Sequence, residues 1–218
     1  MLHLLTPGNT PPFRRLLCLG AHSDDIEIGC GGTMLKLLHE YSDLSVHWVV
    51  FSSGEERARE ARASADRFLE GAEKKNVVVR NFRTSFFPYE GLKIKECFEA
   101  IKDDFSPDII FTHYGKDLHQ DHRVLSELTW NTFRSHLILE YEIPKYDGGL
   151  GSPNVFVHLD EPTCRKKVEI ILESFRTQAE KQWFSADAFL SLLRLRGIES
   201  DAPTRYAEAF YCRKLVLL

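Results

Sequence analysis

LLCLGAHSDDIEIGCGGT, residues 16–33, opens on an apolar run, passes through His22, Asp24, Asp25 and Glu27, and closes on three glycines and a threonine. A short apolar run that ends at a glycine and gives way to charged residues is the pattern of a buried strand reaching the edge of its sheet. The pattern recurs downstream, in VHWVVFS (46–52), NVVVRNF (76–82) and DIIFTH (108–113). Between these runs lie amphipathic stretches with helical spacing: TMLKLLHEY from Thr33, EERAREARASADRFLEG from Glu55, KIKECFEAIKDDF from Lys93 and HRVLSELTWNTFR from His122. Strands alternating with helices predict an α/β, Rossmann-like fold, a mostly parallel sheet with helices on both faces. After about residue 136 the alternation loosens into two strand-like runs, 137–143 and 154–160, joined by the loop PKYDGGLGSP. Two helices, roughly 163–178 and 186–199, and a last strand-like segment, AFYCRKLVL, complete the expectation. No repeat or linker divides the chain, so 1–218 is expected to form a single domain with its core at about 16–212.

In an open parallel sheet, ligands bind beyond the carboxyl ends of the strands, near the point where strand order reverses. The first run ends at Gly20 and the fourth at His113, so the stretch after Gly20 and the loop YGKDLHQDH after His113 are predicted to share one crevice. One loop offers His22 and Asp25, the other His119, Asp121 and His122. A catalytic zinc site takes three protein ligands and keeps a position for water. His22, Asp25 and His122 supply two nitrogens and one oxygen, the right number and hardness for Zn²⁺. Asp24 then stays free to take a proton from the attacking water. His119, oriented and kept protonated by Asp121, is the expected donor to the oxyanion of a tetrahedral intermediate. Any one of these residues alone reads as a helix cap or a solvated loop residue. His3, His39, His47, His136 and His158 have no such company and are assigned no role.

The glycines invite a second reading, a loop that cradles phosphate. A dinucleotide fingerprint would need glycine at position 34, where Met34 stands, and no Walker lysine follows. Acidic residues ahead of the helix would also repel a pyrophosphate. Close helix–sheet packing explains the glycines better. A two-metal phosphoesterase and a non-catalytic nucleotide-binding module remain as alternatives, and neither uses HQDH as fully.

A net charge of −4 and a pI near 6.1 leave no basic footprint for nucleic acid. No apolar run is long enough to span a bilayer, and MLHLLTPGNTPPFRR becomes polar too early for a signal peptide. The five cysteines are odd in number and include no CxxC pair, which argues against a disulfide framework and for a reducing, cytoplasmic setting. The apolar residues of the last helices suit a core or a subunit interface equally, so periodicity leaves the oligomeric state open.

These residues resemble the PIG-L, or LmbE-like, family of zinc-dependent N-deacetylases. Its A-H-P-D-D and G-x-G-G-T signature is matched by Ala21, His22, Asp24, Asp25 and Gly29 to Thr33, with Ser23 in place of the usual proline. That departure bears on the stiffness of the turn, because proline supplies no ligand. The H-x-D-H signature is matched by HQDH at 119–122, preceded by PDIIFTH and Asp117. Weaker similarity extends through ESFRTQ and the segment from Arg196 to Phe210. The resemblance implies His22, Asp25 and His122 as zinc ligands, Asp24 as general base, and His119 as oxyanion stabiliser with Asp121 behind it. It also implies a small-molecule substrate bearing an N-acetyl group, most often on a glucosamine ring. Arg59, Tyr114, Glu142, Arg196, Tyr206 and Glu208, from family-like segments, are the candidate sugar contacts. The loop at 144–153 and the run FFPYEG are the expected walls of the pocket.

Overall fold

Each apolar run becomes a strand because both of its faces are covered. Along β1 (Arg15–Gly20), Leu16 and Cys18 enter one core while Leu17 and Leu19 enter the other, the two-residue alternation of a doubly buried strand. The computed structural model describes residues 13–216, so His3 and most of the N-terminal stretch considered above lie outside the described residues.

The chain continues through α1 (Asp25–Glu40), β2 (Ser45–Val50), α2 (Glu55–Phe68), β3 (Lys74–Val79), α3 (Gly91–Asp104), β4 (Ile109–His113), α4 (Gln120–Thr132) and β5 (Leu137–Tyr141). It ends with β6 (Val155–Leu159), α5 (Glu161–Ser174), α6 (Ala186–Glu199) and β7 (Tyr206–Tyr211). The seven strands form one sheet in the order β3-β2-β1-β4-β5-β7-β6. β1 to β5 pair in parallel, and β7 runs antiparallel between β5 and β6. One core joins α1, α2, α5 and α6 to the sheet, and the other joins α3 and α4 to its opposite face. This is the Rossmann-like arrangement expected from the sequence, and the order reverses between β1 and β4. The loops after those two strands are the ones that carry the polar clusters.

The structure moves one boundary by a whole segment. α1 begins at Asp25, eight residues before the expected start at Thr33, so Glu27 and all three glycines are helical. Glycine costs roughly 1 kcal/mol relative to alanine inside a helix, which is why local propensity argues against this start. Packing outweighs it. A Cβ on Gly29 would stand 2.1 Å from the ring of Tyr141, and one on Gly32 would stand 2.5 Å from Leu159 Cδ1. The motif's glycines therefore press α1 against the sheet and against the chain that crosses it, and their backbone does not face an open phosphate cradle.

Candidate active site

The turn from Gly20 into α1 places its charges by hydrogen bonds to itself. Asp25 Oδ2 accepts from the His22 N–H at 2.7 Å, and the Asp24 carbonyl accepts from the Ile28 N–H at 3.0 Å. The Asp24 side chain does not cap the helix and is left free for other partners. Across the switch point, His119 is the N-cap of α4, and its N–H donates to Asp117 Oδ1 at 2.8 Å. Asp121 and His122 follow in the first turn of α4, both buried.

The two loops meet. His22 Nδ1 lies 3.3 Å from Asp25 Oδ2, His122 Nε2 lies 3.5 Å from the same oxygen, and the two nitrogens are 3.2 Å apart. A tetrahedral ion with bonds of about 2.0–2.1 Å has ligand–ligand edges of about 3.3–3.4 Å. The three atoms thus form one face of such a tetrahedron. The far nitrogens of both rings are also taken: His22 Nε2 is 3.1 Å from Asp121 Oδ2, and His122 Nδ1 is 3.0 Å from Asp117 Oδ2. A carboxylate on the far nitrogen fixes the tautomer and turns the other nitrogen's lone pair toward a metal. The donor set, its spacing and its supporting carboxylates all fit zinc.

Asp121 has a different partner from the one the sequence suggested. Its carboxylate accepts from the Ser85 N–H at 2.6 Å, the Phe87 N–H at 3.2 Å and the His22 ring, and does not hold His119. His119 is held by the backbone of Asp121, whose N–H donates to its Nδ1 at 3.2 Å. An Nδ1 that accepts leaves the ring proton on Nε2. Burial, reinforced by the charge of His22, lowers the His119 pKa, so the ring is a neutral donor and is not kept protonated as the sequence suggested.

Electrostatics separate the remaining groups. Burial works against a charged His22, but Asp25 and then Asp121 overcome it and raise the ring to about 9. Burial and the neighbouring His113 push His122 down to about 3. Burial raises Asp25, but His122, His113 and His22 together bring it well below the usual carboxylate range. Burial raises Asp24, opposed by Arg57, whose Nη2 donates to Asp24 Oδ1 at 2.8 Å. A carboxylate raised by burial and held by a cation suits proton transfer near neutral pH.

Several of these residues escaped the sequence reading. Arg57, two positions from the expected Arg59, is the arginine at the site, whereas Arg59 is exposed on α2. Asp117 supports His122 while accepting from Lys145 Nζ at 2.7 Å. His113 stacks on His122 with centroids 3.9 Å apart, and its Nε2 accepts from the Ala21 N–H at 2.9 Å, so that nitrogen already serves the turn. Among the expected sugar contacts, Glu142 and Arg196 pair with each other at 2.6 and 2.8 Å, and Tyr114 stacks on Tyr211. Tyr206 packs beside Leu159 and Leu193. Glu208 is buried against α1. Phe87 comes to 6.2 Å from the His22 ring and walls the site, while Tyr89 in the same run is 79% exposed.

The sequence model of the family described as PIG-L, GlcNAc-PI de-N-acetylase, matches residues 17–133, more than half of the chain. This chain belongs to the PIG-L family. The match covers both loops that build the site. Among solved structures, the fold is similar to the conserved protein TT1542 from Thermus thermophilus, with a TM-score of 0.72 and 20% identity over 93% of this chain and 96% of that one. It is similar to N,N'-diacetylchitobiose deacetylase from Pyrococcus horikoshii, with a TM-score of 0.71 and 20% identity over 92% and 84% of the two chains. It is also similar to the zinc-inhibited form of teicoplanin deacetylase Orf2, with a TM-score of 0.71 and 13% identity over 91% and 97%. At these identities the similarity establishes a shared fold, and the PIG-L assignment rests on the sequence match. No helix among the described residues is long and apolar enough to cross a membrane.

Proposed function

We propose that this chain is a zinc-dependent N-deacetylase that removes the acetyl group from an N-acetylglucosamine-type amino sugar and releases acetate. The observation that carries the reading is the triangle of His22 Nδ1, Asp25 Oδ2 and His122 Nε2, with edges of 3.2–3.5 Å and a carboxylate behind each ring. Family membership, and deacetylases among proteins of the same fold, support the reaction class.

A zinc ion held by His22, Asp25 and His122 would supply Lewis-acid polarisation of the amide carbonyl and a lowered pKa for the attacking water. The chain's own residues do the rest. Asp24, anchored through Oδ1 by Arg57, presents its other oxygen to accept the water proton. His119, neutral and protonated on Nε2, donates to the carbonyl oxygen as negative charge develops on it. Hydroxide adds to the carbonyl carbon, the C–N bond breaks, and Asp24 returns its proton to the departing amine. Water and amide are consumed, and acetate and the free amine are formed. Phe87 and the buried histidines exclude bulk water from one side of the site.

The test combines metal analysis with acetate release from free, glycosidic and nucleotide-linked N-acetylglucosamine, with His122→Ala as control. About one zinc per chain and acetate release that vanishes in the control are expected. Stoichiometric zinc with no acetate from any compound moves the reading to another amide, and failure to bind zinc after reconstitution removes it.

A further inference from the structure

α1 carries Asp24 at its N-cap and Asp25 in its first turn, and in its middle it meets two buried charges that the reaction does not use. Glu208 on β7 accepts from the N–H groups of Gly32 and Thr33, at 2.7 and 2.6 Å. Lys167 on α5 donates to the carbonyl of Ile28 at 2.7 Å and to Glu208 Oε1 at 2.6 Å. Ile28 and Gly32 are the i and i+4 partners of one helical rung. The ion pair therefore lies across a rung of the helix, with the ammonium on its carbonyl and the carboxylate on its amide. Both side chains are buried, with only 3% and 2% of Lys167 and Glu208 exposed.

The rung connects directly to the site. The Ile28 carbonyl is held by Lys167, and the Ile28 N–H donates to the Asp24 carbonyl. The next residue, Gly29, presses on Tyr141, whose hydroxyl donates to the Leu19 carbonyl at the end of β1. Beside the ion pair lies a cavity of about 20 Å³ lined by Ile28, Gly29, Lys167 and Glu208, so on that side polar contacts supplement the close packing of Gly29 and Gly32. Charge-assisted hydrogen bonds to a rung's carbonyl and amide are about twice as strong as neutral ones, and they tether the helix at that point. Replacing such an ion pair by apolar residues is often neutral or stabilising, so stability alone gives weak reason for it.

We propose that Lys167 and Glu208 are positioning residues: together they hold the Ile28–Gly32 rung and so aim the first turn of α1, setting where Asp24 and Asp25 stand relative to His22 and His122. The inference rests on the metal-site reading given above. A misplacement of about 1 Å at a reacting group can lower the rate about a hundredfold.

The test is Lys167→Met/Glu208→Leu, which removes both charges together. Three quantities are compared with the wild type: the melting temperature, the visible absorption of the Co²⁺-loaded protein, and kcat and KM for acetate release. The expected result is a cooperatively folded protein with an altered Co²⁺ spectrum, kcat lower by about a hundredfold and KM within a few-fold. A wild-type Co²⁺ spectrum and wild-type kcat in the folded double variant would overturn the proposal. If that variant does not fold, Lys167→Met/Glu208→Gln, which leaves no unpaired charge and keeps one acceptor on the rung, is measured in the same way. It is expected to show the same changes in smaller degree, and an unchanged spectrum and kcat there overturn the proposal equally. A wild-type protein that takes up no Co²⁺ refutes the metal reading itself. Amide exchange at Ile28 and Gly32 then decides the rung: equal protection in wild type and variant overturns the positioning claim.

Discussion

Asp24 and Arg57 form a pair in which burial and charge pull in opposite directions. Burial raises Asp24 and the guanidinium lowers it, so removing the cation raises it further. Arg57→Leu is expected to move the acidic limb of the kcat/KM profile to higher pH, because the base must be deprotonated to act. Activity at pH 6 then falls more than activity at pH 8, and an unshifted limb would separate Arg57 from the base. Arg59→Ala, on an exposed face, should change neither. At His119 the expected loss is about 10²–10³ in kcat on substitution by alanine, the usual effect of deleting one oxyanion donor. Metal content should stay at the wild-type value, since His22, Asp25 and His122 already supply three ligands at 3.2–3.5 Å spacing although the His119 ring stands beside them. Loss of metal in His119→Ala would make it a ligand. The residue types that carry this chemistry were legible because imidazoles and carboxylates stood in two tight clusters at the ends of two apolar runs. Arg57 was not, since EERAREAR offers three arginines and only the phase of α2 over the sheet edge selects one of them. Asp121 was seen, but with the wrong partner: spacing put it beside His119, while the turn of α4 swings its carboxylate to His22.

The same contrast holds for the elements. Strands and most helices followed from periodicity, but the start of α1 did not, because three glycines hide a helix whose reason for being is tertiary. Gly29→Ala tests that reason. Its Cβ would meet the Tyr141 ring at 2.1 Å, so the substitution should destabilise by about 1–3 kcal/mol, the usual cost of overpacking, where propensity alone predicts a gain. A higher melting temperature would show that α1 has room to move. The turn before α1 is stiffened differently from the family pattern. Ser23 Oγ lies 2.9 Å from Ser53 Oγ, which donates to the Gly54 carbonyl at the N-cap of α2. The Ser23 hydroxyl is therefore the donor to Ser53, and the turn is tied to the helix that carries Arg57. A hydrogen bond of this kind is worth about 1 kcal/mol, so Ser53→Ala should lower stability by about that amount. Neither the Ser23 tether nor the Lys167–Glu208 pair was legible, since the partners are far apart in sequence and belong to elements whose contact only the fold establishes.

At the scale of the whole molecule, the buried site couples metal, protons and folding. In the metal-free protein His22 is raised from 6.5 to about 9, so the folded state binds a proton that the unfolded chain gives up. The resulting stabilisation is present below pH 6.5 and is lost as pH rises toward 9. Metal binding has the opposite dependence, because it requires the neutral His22 ring and expels that proton. His122, lowered to about 3, has none to expel. Zinc uptake near pH 7.5 should therefore release close to one proton per site from the protein, and affinity should rise about tenfold per pH unit between 7 and 9. Since a ligand that binds only the folded state stabilises it in proportion to the logarithm of its affinity, the growing zinc increment offsets the loss of proton-linked stability in the loaded protein. Thermal melts of chelator-treated and zinc-loaded protein at pH 6, 7.5 and 9 should show the metal-free midpoint falling while the zinc-induced increment grows. An increment that stays constant across the three values, corrected for zinc hydrolysis, would mean that His22 does not carry the linked proton. The His22 ring would then have to be neutral before the metal arrives, and the hydrogen bonds to Asp25 and Asp121 would be serving its orientation alone.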